Sequence, residues 1–200
     1  MTWVKVCGLT RSEDVTAAVA AGADAVGFVV APKSPRRVTI DQVAGLAAGI
    51  EAIRILVTVD LEPAALISAA MTAGVDGVQP HGRHADAAVI AAKDLGLFVL
   101  RPVPIGDYFE LPALPTGVVP LLDTYRPGRH GGTGETFDWD LAERVPGPIV
   151  LAGGLGPDNV GAAVRTVRPW GVDASSRLEA AAGIKDHGKV AAFVREAKQA

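Results

Sequence analysis

The sequence has one cysteine and few aromatic side chains, and these shortages exclude several classes of protein. Cys7 is the only thiol in 200 residues, so no intramolecular disulfide can form and nothing calls for an oxidising compartment. Aromatic residues make up 5% of the chain, whereas 49% of its residues are hydrophobic. Such a chain is too apolar to be disordered, and its small apolar residues favour an α/β domain over a β-sandwich.

Long apolar and long basic segments are absent as well. No window approaches the ~20 uninterrupted apolar residues of a membrane span, and no basic stretch precedes a long apolar one at the N-terminus. The net charge is −3, with no basic run able to follow a nucleic-acid backbone. We therefore expect a cytoplasmic protein that binds a small molecule and neither nucleic acid nor membrane. No motif identifies a protein partner.

Hydrophobic periodicity predicts alternating strands and helices along the whole chain. β-branched and apolar runs predict strands at 3–7, 25–30, 53–59, 76–79, 97–103, 118–123, 148–152 and 171–174. Helical periods follow most of them, at 12–21, 40–49, 63–73, 84–95, 157–167 and 187–198. Alternating β and α units indicate a parallel sheet with right-handed crossovers.

Eight such units predict a single-domain (β/α)8 barrel over residues 1–200, at the short end of that fold's range. Residues 104–117 contain three prolines and two glycines and show no helical period, so helix five is expected to be reduced to a loop. An open doubly wound sheet is the alternative architecture. That architecture usually carries a glycine fingerprint after strand one, and this sequence has none there.

Strand one places a lysine and the cysteine on one face. Lys5 and Cys7 alternate with valines that suit the helix-facing side, so both side chains should point into the barrel. Cys7 would then be the last inward residue, at the rim where such barrels carry their chemistry. A buried, inert cysteine is the alternative. Thr10 and Glu13 predict a capping box at the start of helix one.

Two other strand ends carry titratable side chains. Asp123 ends strand six in "LLDT" and could act as a general acid if apolar neighbours raise its pKa. A turn-forming or capping aspartate is the alternative. His81 follows strand four in "VQPHG", where it is either a titrating group or a hydrogen-bonded structural histidine.

Two segments after the last strands predict a phosphate site. "LAGGLGPDNV" contains Gly153 and Gly154, with Pro157 opening a helix, and "VDASSRLE" contains Ser175 and Ser176. Loops after strands seven and eight form the usual phosphate site of this fold. Glycine pairs also occur in plain turns, so the prediction depends on both segments being present.

Two further loops extend the predicted rim. "APKSPRRVT" contains Arg36, whose planar guanidinium matches a carboxylate. A solvated charged loop is the alternative there. The glycine-rich stretch at 126–139 is long enough to form a mobile lid.

These motifs occur in an order that resembles the phosphoribosylanthranilate isomerase family of tryptophan biosynthesis. The segments that carry the resemblance are VKVCGLTRSEDV, GADAVGFVVAPKSPRRV, VDGVQPHG, LLDT, GGTGETFDW, LAGGLGPDNV and VDASSRLE…GIKD. The resemblance implies an Amadori rearrangement of N-(5-phosphoribosyl)anthranilate without a cofactor or a metal. It implies Cys7 as general base and Asp123 as general acid.

The resemblance also implies the substrate contacts. It assigns the anthranilate carboxylate to Arg36 and places Asp173 near the ribose. The phosphate goes to the backbone around Gly153, Gly154, Ser175 and Ser176. We add His81 and Lys5 to the predicted substrate site, and the charge of Lys5 would also favour the Cys7 thiolate.

Three positions depart from the family pattern. Ala31 stands where an aromatic residue is common, Pro80 replaces a leucine, and Arg177 replaces a glycine after the two serines. The guanidinium of Arg177 would add a contact to the phosphate, or it would point to solvent or pair with Glu179. Alternative functions are a non-catalytic phosphate-binding barrel and the histidine-pathway ribotide isomerase, which uses aspartates in a twofold-repeated half-barrel.

Overall fold

Eight parallel strands close into a barrel in chain order in the computed structural model, which describes residues 1–106, 110–124 and 138–200. The strands are β1 (Trp3–Cys7), β2 (Ala25–Val29), β3 (Ile53–Val59), β4 (Gly77–His81), β5 (Phe98–Ile105), β6 (Val119–Thr124), β7 (Val150–Leu151) and β8 (Gly171–Ala174). β1 pairs with both β2 and β8. The predicted barrel is therefore confirmed, and the open doubly wound alternative is wrong.

The part of the chain that the structure describes has six α-helices around the barrel. They are α1 (Ser12–Ala20), α2 (Ile40–Ala47), α3 (Pro63–Ala73), α4 (Ala85–Asp94), α5 (Val160–Val167) and α6 (His187–Gln199). The described residues 110–118 contain no helix, as expected for unit five. In the described part of the chain, no helix has the length and apolarity needed to cross a bilayer.

Some elements differ from the sequence prediction. A 3₁₀ helix occupies Trp139–Arg144, and a second, Ser176–Leu178, leads into a hairpin of β9 (Glu179–Ala181) and β10 (Ile184–Lys185). These pieces are too short to leave a periodic pattern. The predicted lid over 126–139 lies outside the described residues except at its last two positions.

The start of α1 corrects the predicted capping box. The N-cap is Arg11, and no side chain caps it. Thr10 instead donates its hydroxyl to the carbonyl of Gly183, 2.5 Å away and distant in sequence. A tertiary partner has therefore replaced the local one.

Side-chain alternation on the strands separates two apolar layers. Val4 and Val6 face the helices, whereas Cys7, Ile55 and Leu121 face inward, as the period of two requires. At the amino ends of the strands, the Trp3 ring stacks on Trp170 with centroids 4.9 Å apart, and Phe98 packs beside it. The aromatic cluster lies at this end of the barrel, and the cavity lies at the opposite end.

Candidate active site

A cavity of about 870 Å³ opens at the carboxyl ends of the strands. Every side chain or glycine predicted for the site lines it except Lys5. The lining includes Cys7, Arg36, His81, Asp123, Gly153, Gly154, Asp173, Ser175 and Ser176. The fold therefore brings together residues from six of the eight βα units, as the strand-end argument predicts.

Cys7 ends β1 with only 6% of its surface exposed. Its neighbour across the β1–β2 pairing is Gly27. A Cβ atom at Gly27 would lie 2.8 Å from the Cys7 sulfur and 3.2 Å from the Lys5 ammonium. The missing side chain at Gly27 therefore makes the space for both groups, a role that the sequence analysis did not assign.

Lys5 lies below Cys7 inside the barrel, away from the cavity wall. Its side chain is fully buried, and its Nζ forms an ion pair with Asp173 at 3.0 Å. β1 and β8 are paired in register at these two residues. Burial lowers the pKa of Lys5, but the nearby charges of Asp173 and Cys7 outweigh it and raise that pKa. Lys5 is thus a fixed cation beneath the thiol.

The Cys7 thiol has a raised pKa because burial disfavours the thiolate. The positive charge of Lys5 acts in the opposite direction, and that of Lys185 does so more weakly. The negative charge of Asp173 raises the pKa further, by more than the charge of Lys185 lowers it. The surroundings of Cys7 therefore combine a desolvated sulfur with cations that favour its ionised form.

Asp123 lies on the opposite wall, at the end of β6. Burial raises its pKa to about 6, and the negative charge of Asp173 contributes to that shift. A hydrogen bond from the Thr124 backbone and the more distant charge of Lys5 lower it again. The carboxyl keeps access to the cavity although protein atoms surround the rest of it. A carboxyl group in such a setting can hold a proton near neutral pH.

The loop after β7 presents bare backbone to the cavity. Gly153 and Gly154 adopt φ values of +81° and +63°, in the region that favours glycine. A Cβ at Gly153 would lie only 2.6 Å from the Thr124 backbone nitrogen. Within the described residues, the N–H groups of Gly153, Gly154 and Leu155 donate no hydrogen bond. Free amides at this place suit an anion.

The helix after this loop starts later than predicted. α5 begins at Val160 rather than at Pro157, because residues 157–159 form a turn. The Asn159 amide oxygen accepts from the Gly156 N–H at 2.8 Å within that turn. None of the residues of α5 lines the cavity. The candidate anion site is therefore built from loop amides, and the helix N-terminus lies outside it.

Arg36 lines the cavity, but it is already engaged by a partner in the hairpin. Its Nε and one terminal nitrogen bind the two carboxylate oxygens of Glu179 at 2.6 and 2.8 Å. The buried Lys185 ammonium contacts the same carboxylate at 3.0 Å. Burial would raise the pKa of Glu179, but these cations lower it. Arg36 is held in one orientation, and within the described residues its remaining N–H groups have no hydrogen-bond partner, so they can meet a ligand.

The predicted site does not include Glu179 and Lys185, although both lie in the quoted "RLE…GIKD" segment. The alternative pairing of Glu179 with Arg177 is wrong. Arg177 pairs with Asp158 at 2.6 Å. Both terminal nitrogens of Arg177 are used within the protein, and the residue does not line the cavity.

His81 and Gln79 share the β4 edge of the cavity. The Gln79 amide nitrogen lies 3.0 Å from His81 Nε2. The histidine is therefore hydrogen-bonded, as the structural interpretation expected, while still facing the cavity. Among the described residues, no group of three His, Cys, Asp or Glu side chains is arranged to hold a metal ion.

Sequence comparisons match the chain to one family over almost its whole length. The family model of N-(5'phosphoribosyl)anthranilate (PRA) isomerase matches residues 4–196. An N-(5'-phosphoribosyl)anthranilate isomerase of Pelobacter propionicus is 44% identical over 208 residues, covering 100% of this chain and 97% of that protein. The one of Rubrobacter xylanophilus is 41% identical over 205 residues, covering 99% and 100%.

Solved structures give the same match. Phosphoribosyl anthranilate isomerase from Thermotoga maritima superposes with a TM-score of 0.86 at 33% identity, with 100% of both chains covered. A phosphoribosyl anthranilate isomerase in complex with reduced 1-(o-carboxyphenylamino)-1-deoxyribulose 5-phosphate gives 0.83 at 32% identity, again over 100% of both chains. The architecture and the chain length therefore agree with those of these proteins.

Proposed function

The chain belongs to the N-(5'-phosphoribosyl)anthranilate isomerase family, and from that premise we propose that Cys7 and Asp123 are the base and acid of its reaction. Membership confirms the function expected from the sequence, isomerisation of phosphoribosylanthranilate in tryptophan biosynthesis. The substrate is an aldose derivative and the product a ketose, 1-(2-carboxyphenylamino)-1-deoxyribulose 5-phosphate.

The acid acts first. Asp123 delivers its proton to the furanose oxygen, the bond from that oxygen to C1′ breaks, and the nitrogen lone pair forms a Schiff base. A carboxyl group with a pKa of about 6 is strong enough to give up this proton, and near neutral pH a minor share of the molecules still holds it there. The open-chain iminium that results makes the proton on C2′ acidic.

The base then removes that proton. The Cys7 thiolate takes it from C2′, and the electron pair forms an enolamine that neutralises the iminium. Tautomerisation of the enolamine gives the ketone, so the sequence needs no oxidant or reductant. Lys5 lies below Cys7, and its buried positive charge favours the thiolate.

The charged ends of the substrate match the two anion-binding regions of the cavity. The ring carboxylate fits the N–H groups of Arg36 that Glu179 does not use, and Glu179 holds the guanidinium in place. The phosphate fits the loop amides at Gly153 and Gly154 together with Ser175 and Ser176. We place Asp173 beside the ribose, and His81 on the wall that faces the reacting sugar.

The observation that carries the proposal is the pair of opposite environments around one cavity. The charges of Lys5 and Asp173 act on both groups, but the cation has the larger effect at Cys7 and the anion the larger effect at Asp123, so the neighbours favour a base at one wall and an acid at the other. A non-catalytic phosphate-binding barrel would need neither. We further propose that residues 1–200 act as one domain in the cytoplasm.

The test is turnover of phosphoribosylanthranilate, followed through the loss of its fluorescence. Wild type should convert it, and Cys7→Ala should lower kcat by about 10²–10⁴-fold while binding of a reduced product analogue stays within a few-fold. Full activity in Cys7→Ala would return Cys7 to a packing role. No turnover in wild type would favour the scaffold, and turnover of the histidine-pathway ribotide alone would favour that isomerase.

A further inference from the structure

Arg177 is the departure from the family pattern that the proposed chemistry does not use. It lies in the 3₁₀ helix after β8, directly behind Ser175 and Ser176. One terminal nitrogen donates to the Gly154 carbonyl at 3.1 Å, and the other contacts both carboxylate oxygens of Asp158 at 2.8 and 2.6 Å. Arg177 thus connects the loop after β8 to two points of the loop after β7.

We propose that Arg177 is a positioning residue that fixes the glycine loop in its anion-binding conformation without touching the anion. This inference rests on the proposed function, because the anion in question is the substrate phosphate. The evidence is the geometry of one peptide group, the one between Gly154 and Leu155.

The carbonyl of that peptide group is held by two donors outside the cavity. Arg177 donates from one side, and the Asn159 side-chain amide donates from the other at 3.0 Å. Neither of these residues lines the cavity, whereas Gly154 and Leu155 do. In a trans peptide the N–H points opposite to the carbonyl. Holding the carbonyl outward therefore turns the Leu155 N–H inward.

The Leu155 N–H is one of the three loop amides that donate no bond within the described residues. An amide already turned toward its ligand loses less freedom on binding, so preorganisation raises affinity. Gly156 shows how closely the arginine packs here, because a Cβ atom at that position would lie 3.0 Å from the Arg177 Nε. The Arg177 side chain is therefore closely packed against the loop after β7.

Two variants of the Arg177–Asp158 ion pair distinguish positioning of the glycine loop from direct contact with the phosphate. If Arg177 positions the loop, Arg177→Ala should raise KM for phosphoribosylanthranilate by about 2- to 10-fold, the typical net effect of one lost hydrogen bond, with kcat nearly unchanged. Asp158→Asn should raise KM as well, by less, because it loosens the guanidinium. If Arg177 instead met the phosphate directly, Asp158→Asn would release it toward the anion and lower KM.

Arg54 offers a matched control. It makes a similar side-chain pair with Asp76, with 28% exposure against 32% for Arg177, but at the amino end of β3, away from the cavity. Arg54→Ala should change stability without changing KM. Arg177→Lys should recover part of the affinity, since an ammonium can reach the carbonyl or the carboxylate but lacks the planar fork.

Calorimetric titration with inorganic phosphate tests the inference without turnover. Arg177→Ala should weaken phosphate binding by the same factor by which it raises KM. Equal phosphate affinity in wild type and Arg177→Ala, or a tighter Asp158→Asn, would overturn the inference. Because this measurement needs no reaction, an inactive wild type would count against the proposed function and leave the test of Arg177 in place.

Discussion

Cys7 and Asp123 stand on opposite walls of one cavity, and the contrast between their surroundings supports the base and the acid that we propose for them. Burial raises the pKa of both groups. The neighbours then differ, since the cation Lys5 opposes the shift at Cys7 and the anion Asp173 adds to the shift at Asp123. Those two neighbours are themselves an ion pair at 3.0 Å. The same buried ion pair therefore shifts the pKa values of both groups, mainly through Lys5 at Cys7 and mainly through Asp173 at Asp123.

The largest effect on this contrast is expected when the side chain at position 123 can no longer deliver a proton. Asp123→Asn should lower kcat by about 10²–10⁴-fold, because the amide keeps the shape but cannot deliver a proton. The fold should not weaken at pH 7. The folded pKa of Asp123 is raised from 3.8 to about 6, so its ionisation costs stability, a loss that grows between those values and is complete at pH 7, and the amide has no such penalty.

Stopped-flow or steady-state fluorescence would measure this kcat, and thermal unfolding would measure stability. A variant that keeps more than a tenth of wild-type kcat would place the acid elsewhere.

The second way is to remove the cation beneath the thiol. Lys5→Met should raise the pKa of Cys7, because the charge that favours the thiolate is lost, and should lower kcat by roughly tenfold or more. The thiol titration is read directly from ultraviolet thiolate absorbance, since Cys7 is the only cysteine. The variant also leaves Asp173 unpaired, so reduced stability is expected.

Cys7→Ala supplies the blank for that titration. An unchanged thiol titration in folded Lys5→Met would show that Lys5 only fills the barrel.

The third test is the pH dependence of kcat/KM, which reports on the different pKa values of Cys7 and Asp123. Because the pKa of the thiol lies above its ordinary value and that of the acid is about 6, the resting pair at neutral pH carries its single proton on Cys7. The productive form carries it on Asp123, and its share stays constant while one proton is present. kcat/KM should therefore be flat from about pH 6 up to the raised pKa of the thiol, where the pair loses its last proton, and it should fall about tenfold per unit below pH 6.

The falling limb appears because a second proton then occupies the pair and blocks the base. A buffer-independent pH profile of kcat/KM would measure it, and a plateau continuing well below pH 6 would contradict the assignment of Asp123.

The smallest expected effect comes from crowding the base wall. Gly27→Ala places a methyl group 2.8 Å from the Cys7 sulfur, so it should displace the thiol, lower kcat severalfold and cost about 1–3 kcal/mol of stability. Gly45→Ala is the matched control, because nothing lies within 4 Å of a Cβ there. Because Gly45 lies in helix α2, Gly45→Ala should leave kcat unchanged and raise the free energy of unfolding by up to ~1 kcal/mol. Equal kinetics for the two variants would remove Gly27 from the site.

The sequence allowed the barrel and the strand-end residues to be predicted because both depend on local periodicity. Inward Cys7 follows from alternation within one strand, and Asp123 from the end of an apolar run. The partners of these groups could not be predicted in the same way. The contacts of Lys5 with Asp173 and of Arg36 with Glu179 join loops and strands far apart in the chain, and which residues meet is decided by barrel register. Arg177 shows the same limit, since its partner Asp158 lies in another loop.

The hairpin that holds Arg36 ties the last part of the chain to the first. Glu179 binds Arg36 across 143 residues, the Gly183 carbonyl accepts from Thr10 across 173, and the Lys185 N–H donates to Asp14 across 171. Contacts of such separation carry a large closure entropy and form slowly. During synthesis, strands one to seven can emerge before the anchor of Arg36 exists. In refolding, helical circular dichroism should therefore return before activity, because the enzyme becomes competent only when Glu179 has reached Arg36.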